Sequence, residues 1–155
     1  MASRDTPKTV LLKGDPIAYE GIAGGTITPG MLLGWSSGKL VAHAVTGPAK
    51  HPVMVAREKE YAGGGIDTTY TTNERVSYYV MRPGDMFYGL LENGQNVQVG
   101  TKLASNAAGA LEVAADPTGN VTADVADLGT YPVVEAMEAV NNSSGGNVRI
   151  KVRVL

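Results

Sequence analysis

Two stretches of this 155-residue chain follow one plan. Residues 27–44 read ITPGMLLGWSSGKLVAHA, and residues 97–114 read VQVGTKLASNAAGALEVA. In each, a β-branched residue is followed three places on by Gly and three places later by Leu. A small polar turn, a second Gly and a second Leu come next. The anchors are Ile27, Gly30, Leu33, Gly38 and Leu40 in the first copy and Val97, Gly100, Leu103, Gly109 and Leu111 in the second, whose turn is one residue longer. An isolated hairpin cannot bury such Leu anchors; it needs further strands around it. A chain that carries the unit twice therefore needs a β-rich body with comparable places for both. Gly30 and Gly100 are expected to do the same backbone work at the two entrances.

The remaining sequence continues in the same idiom. There are 20 Gly and 8 Pro, roughly 18% of the chain against an ordinary share of about 12%, which favours many turns over long helices. Residues 17–19 and 53–56 read as short strands. In residues 75–82, Val76, Tyr78 and Val80 share one face and Ser77, Tyr79 and Met81 the other, so this strand is central or covered by a partner. Arg82-Pro83-Gly84-Asp85 is a turn with Pro83 at its second position. Residues 86–92 form the next strand, and Asn93-Gly94 is the strongest short hairpin signal in the chain. Residues 62–74 read as a loop, with an edge strand as the alternative. Residues 133–140 read as strand, although helical spacing would group Val133, Met137 and Val140. The end, VRIKVRVL, alternates strictly and places Arg149, Lys151 and Arg153 on one face, either a solvated surface or a contact for an anionic partner. The fold expected is all-β: a small β-barrel or β-sandwich of short strands over residues 14–155, preceded by an extended N-terminal arm over residues 1–13.

No motif assembles a catalytic set. The chain has no Cys and only His43 and His51, whose spacing fits no helical zinc pair. Ser36 and Ser37 stand in a hairpin turn rather than a nucleophile elbow, and SSGK is followed by Leu40, which breaks the phosphate-loop pattern. Asp85 and Glu92 bracket a strand, but carboxylates at turns are commonplace. No cofactor or metal is expected. Charged residues are 18% of the chain and the net charge is −2, which leaves no electrostatic footprint for nucleic acid. Residues 1–12 lack the apolar core of a secretory signal, and no apolar run approaches the ~20 residues of a membrane-spanning helix. The low charge fits either a plain Gly/Ala-rich protein or a surface partly covered by other chains.

Two segments invite an interaction reading. The first residues are polar, include Pro7, and end in Val10, Leu11 and Leu12. They either form a strand laid on a partner or supply the first strand of the chain's own barrel. Tyr70, Tyr78, Tyr79 and Tyr88 cluster in sequence. They serve either as an oligomer interface or as core filling in a chain with a single Phe.

Four stretches carry a family resemblance. They are Arg82-Pro83-Gly84-Asp85, the G-Q-N-V-x-V-G-x-x-L-x-S pattern of residues 94–105, the G-x-L-E-V-A pattern of residues 109–114, and the closing VVEAMEAV and NVRIKVRVL with Glu138-Ala139 between the last strands. Together they resemble the capsid decoration, or cement, proteins of tailed bacteriophages. Residues 57–74 have no counterpart in that pattern. The resemblance implies a non-enzymatic β-rich protein, made in the host cytoplasm, that sits on the outer surface of an icosahedral head, commonly as a trimer. It also implies that the arm, here Ser3, Arg4, Thr6, Pro7, Val10, Leu11 and Leu12, lies along the major capsid protein. Nucleic acid and membrane are not among the expected partners. The rival class is a carbohydrate- or receptor-binding β-module of a virion, in which Trp35 and the tyrosines would form stacking platforms.

Overall fold

The computed structural model describes residues 6–44, 52–114 and 132–155. Among these residues the chain forms thirteen short strands and no α-helix. The strands are β1 (Leu11–Lys13), β2 (Ile17–Ile22), β3 (Leu33–Ser36), β4 (Lys39–Ala42), β5 (Met54–Ala56), β6 (Arg75–Val80), β7 (Met86–Leu91), β8 (Asn96–Val97), β9 (Lys102–Ser105), β10 (Leu111–Val113), β11 (Val134–Ala136), β12 (Val140–Asn141) and β13 (Val148–Val154). One 3-10 turn, Glu60–Ala62, interrupts the segment between β5 and β6.

Five strands close on themselves in the order β7-β10-β9-β11-β13, with β13 returning to β7. The expected barrel is therefore present. The first half of the chain repeats it. There β2 pairs β6, β6 pairs β5 and β3 pairs β4, while single bridges Leu32↔Val55 and Ala23↔Leu40 join these pieces into the ring β2-β4-β3-β5-β6. The two rings match strand for strand, and their registers match as well. Gly21 faces Val76 as Gly89 faces Ile150. Ala56 faces Tyr78 as Ala136 faces Val152. The parallel contact Ala23↔Leu40 has its twin in Leu91↔Leu111, and Ile27↔Tyr70 in Val97↔Val140. The duplicated hairpin is thus the visible part of a duplicated barrel.

The two interiors correspond position by position. Ile27, Leu33, Leu40, Met54 and Val76 in the first barrel are answered by Val97, Leu103, Leu111, Val134 and Ile150 in the second. The outward faces do not correspond. Across the first barrel run Leu32, Val55 and Tyr79, all buried in one cluster with Phe87, Tyr88 and Met81. At the matching places of the second barrel stand Lys102, Glu135 and Arg153, with Lys102 Nζ donating to Glu135 Oε2 at 2.6 Å and Arg153 donating to Glu135 Oε1. The apolar row is pressed into the seam between the barrels; in the charged row Lys102 and Arg153 face water and cover Glu135. That asymmetry docks two similar barrels into one body.

Turns follow the expected chemistry, with one correction. Asp85 N donates to Arg82 O at 3.0 Å and closes the turn through Pro83 and Gly84, where Gly84 has φ +93°. Asn93 and Gly94 also lie in a turn, and Gly94 has φ +86°. The strands flanking Asn93-Gly94 do not form a hairpin, however: β8 pairs β12, not β7. Pairing β7 with β13 and β10 leaves no edge for β8. β2 also runs longer than the short strand expected at residues 17–19, continuing to Ile22.

Gly30 and Gly100 hold matching conformations, with φ +91° and +88°. Gly30 N donates to Ala56 O and Gly100 N to Ala136 O, both at 2.8 Å. Their surroundings differ. A Cβ at Gly30 would meet Tyr88 O at 2.6 Å and Arg149 Nη1 at 2.7 Å, whereas one at Gly100 meets nothing within 4 Å. Gly100→Ala is therefore expected to cost about 1–2 kcal/mol from backbone strain alone. Gly30→Ala should cost a further ~1–3 kcal/mol from overpacking against a rigid carbonyl. Denaturant melts of the two variants test this ordering; equal losses would contradict it.

Candidate functional site

The N-terminal segment enters the body earlier than expected. Val10 is fully buried, its N–H donates to the buried Glu58 Oε1, and its carbonyl accepts from Tyr88 N at 2.8 Å. β1 then pairs antiparallel with β7, Leu11 opposite Phe87, and Leu11 and Leu12 pack half-buried against the core. The arm reading is thereby corrected for Val10, Leu11 and Leu12: Val10 is buried in the core and Leu11 and Leu12 lie in the barrel-edge strand β1. The reason is energetic: burying Val10 stabilises the fold by about 1.5–3 kcal/mol, and the strand finds backbone partners in its own chain. Thr6 is exposed and Pro7 half-buried. Ser3 and Arg4 lie outside the described residues.

The four tyrosines occupy the interior of the chain, filling core in place of Phe. Tyr70 is inaccessible, and its hydroxyl donates to Arg57 O at 2.8 Å. Burial pushes its phenol up to about 12. Tyr79 lies in the seam beneath the Arg57 guanidinium, 5.5 Å from the ring centroid. Burial raises Tyr79 as well, with Arg57 opposing. Lys151 Nζ stands 5.9 Å from the ring centroid of Tyr88. Tyr78 closes the top of the first core and is raised by burial.

The cationic stripe of β13 is not one surface. Arg149 is largely buried: Nη1 donates to Pro29 O at 2.7 Å and Nη2 to Ile66 O at 2.6 Å, with Asp67 Oδ1 at 3.3 Å. Burial lowers its guanidinium pKa. It fastens the second barrel to loops of the first. Arg153 is committed to Glu135, whose carboxyl is held below the usual range by hydrogen bonds from Lys102 and Arg153. The two carboxylates weighed for chemistry are structural too. Asp85 is buried and accepts from Arg82 N at 2.8 Å, and Glu92 accepts from Asn106 Nδ2 at 3.0 Å. Among the described residues no cluster of three metal-ligating side chains exists. His43 Nδ1 contacts Ser105 Oγ at 2.8 Å, and His51 lies outside the described residues.

The surface that remains is on β2. Ile17, Tyr19, Ile22 and Trp35 are 42–49% exposed. Tyr19 stacks on Tyr78 with centroids 5.9 Å apart, and Trp35 meets Tyr78 edge-on at 6.2 Å. Beside them Glu20, Gly21, Ile22 and Arg75 line an open cleft of about 250 Å³. Sequence reasoning flagged Trp35 but missed Ile17, Tyr19 and Ile22 as a surface. No local signal marks that surface: Tyr19 occupies the place of the fully buried Phe87, yet lies open, a difference that only the tertiary structure makes.

Comparison with known proteins bears on this geometry. No family model matches the sequence, and no curated protein matches it. Among solved structures, the head fiber gp8.5 N base of bacteriophage phi29 is similar. The TM-score is 0.55 and the identity 12%, over 90% of this chain and 93% of that one. The likeness is one of fold.

The buried Tyr70 predicts an alkaline transition. The folded state keeps the phenol proton to about pH 12, whereas a free tyrosine loses it near 10. Its contribution is intact below pH 10 and is lost as pH rises from about 10 to about 12. Melting temperature should fall across that window, and Tyr70→Phe should flatten the slope while costing about 1 kcal/mol at neutral pH through the lost hydrogen bond. An unchanged alkaline slope in Tyr70→Phe would contradict the assignment.

Proposed function

We propose that this chain is a non-enzymatic decoration protein of a tailed-phage head, bound to the outer surface of the shell as a trimer. The observation that carries the reading is the fold likeness to a phage head-fiber base across nine-tenths of the chain. Three features of the chain support it. The sequence has the hairpin grammar of the cement proteins. Asp85, Glu92 and His43 are engaged in turns and hydrogen bonds. Tyr70, Tyr78, Tyr79, Tyr88 and Arg149 serve the body rather than a cleft. A protein of this kind stabilises its shell by mass action, because it binds the assembled lattice in preference to free subunits.

The partner is the major capsid protein, and the part offered to it is the arm, now bounded at residues 1–9. Segments with so little apolar surface order on binding. A second reading, a glycan-binding module of the virion, is favoured by the exposed Tyr19 and Trp35; retention on a glycan array without binding to heads would select it.

Truncations separate the arm from the barrel. Removing residues 2–9 should abolish cosedimentation with empty heads assembled from the cognate capsid protein and leave the melting temperature unchanged. Removing residues 2–12 should in addition cost at least about 2 kcal/mol, since Val10 and a strand are lost. Full head binding by the shorter truncation would defeat the arm reading. Sedimentation velocity that finds only monomer, both free and released from heads, would defeat the trimer.

A further inference from the structure

The duplication exposes one place where the two barrels differ in completeness. In the second barrel the outer edge of β7 is covered by residues 10–13, with Tyr88 N donating to Val10 O at 2.8 Å and Leu11 opposite Phe87. The register makes Glu20 the counterpart of Tyr88 and Tyr19 the counterpart of Phe87. In the first barrel no described residue pairs with the outer edge of β2 between Ile17 and Ile22.

The consequences are visible on the surface. Ala23 N donates to Glu74 O at 2.8 Å, which fixes the parity of the ladder: Ile17, Tyr19 and Gly21 bond inward to β6, and Ala18, Glu20 and Ile22 direct their backbone groups outward. A shallow cleft of about 250 Å³, lined by Glu20, Gly21 and Ile22 of β2 and Arg75 of β6, opens over these two strands, and Ile17, Tyr19 and Ile22 of β2 and Trp35 of β3 are exposed. Open edges with apolar flanks are normally blunted by charge, proline or a cover. Here Glu20 and Arg75 are the only charged residues lining the cleft, and they pair with each other at 3.3 Å.

We infer that the β2 edge is a docking site for an extended apolar segment of a different polypeptide, which adds a strand to the first barrel as residues 10–13 do to the second. The occupied edge defines the chemistry of the guest. It runs antiparallel to the host strand, its carbonyl accepts from the N–H of Glu20, and an apolar side chain beside that carbonyl fills the place Val10 fills. A second copy of this chain offers no spare segment of this kind among its described residues, because its own residues 10–13 are held by its own β7. Two β2 edges paired about Glu20 would set like charges face to face. The inference is independent of the shell-binding reading: binding of heads and filling of this edge are measured separately.

The test uses the full chain and a capped peptide, KTVLLK, copied from residues 8–13. Trp35 is the only Trp in the chain, and its ring lies 3.6 Å from where a Cβ would stand on Gly21, so its emission reports on β2. Peptide should produce a saturable blue shift of that emission. At saturation it should slow amide exchange at Ala18 and Glu20 at least tenfold, while Tyr19 and Gly21 are already slow in the free protein. Glu20→Pro removes the outward N–H and is tolerated at a strand edge; it should melt as wild type and show no shift. If that variant does not fold, the exchange measurement on the wild-type chain decides. No shift and no slowing at millimolar peptide overturns the inference, as does an equal shift in a folded Glu20→Pro. Self-association that protects Trp35 without peptide overturns it in favour of a second copy, and a shift with oligosaccharides but not peptide overturns it in favour of a glycan platform.

Discussion

Both barrels depend on one contact, a leucine seated where a strand has no side chain. A Cβ on Gly21 would stand 2.6 Å from Leu40 Cδ1, and one on Gly89 would stand 2.7 Å from Leu111 Cδ1. A ring of five strands has a narrow interior, and a full side chain cannot come from every wall at one level. Leaving one wall bare makes room inside the ring for the leucine of the neighbouring strand. The last anchor of the repeated hairpin, Leu40 or Leu111, is thus the plug of its barrel. Its partner glycine lies in the first strand of the ring, upstream of the repeated stretch. Strand order and register follow from bringing those two positions together.

Given two such plugged rings, the outward row of three side chains decides how they associate. Leu32, Val55 and Tyr79 lose water in the seam, whereas Lys102 and Arg153 stay exposed and together satisfy the buried Glu135 between them. Reversing those rows would turn the opposite walls inward. Arg149 adds direction to an otherwise apolar seam: its two carbonyl acceptors, Pro29 and Ile66, both belong to the first half of the chain. A buried guanidinium with charge-assisted hydrogen bonds tolerates little sliding. Its counterpart Arg75 forms only an exposed pair with Glu20, the kind of contact that contributes little. The same residue type at the same place does different work because only one of the two faces a neighbour.

The N-terminal strand completes this economy. It covers the edge of β7, and through Glu58 it ties the seam to the first barrel. Just before it, Thr6, Lys8 and Thr9 are exposed and Pro7 is half-buried. Among the described residues the outer edge of β2 on the other barrel has no such strand against it.

The sequence by itself determined the class of fold. Strict alternation in residues 148–155, Pro83 and Gly84 in a turn, and the matched glycines at residues 30 and 100 are local facts, and local backbone preferences settle them. The repeated hairpin was legible for the same reason. The rest of the duplication was not, because its matching residues are chemically unlike: Glu20 answers to Tyr88, Val55 to Glu135, Tyr79 to Arg153. Whether Val10–Leu12 is arm or strand, whether Tyr70 and Tyr88 face a partner or a core, and whether Arg149 is solvated were decided only by tertiary structure. Each depends on what a distant segment places against the residue, and burial is a property of the closed ring and its seam rather than of the residue's neighbours in the chain.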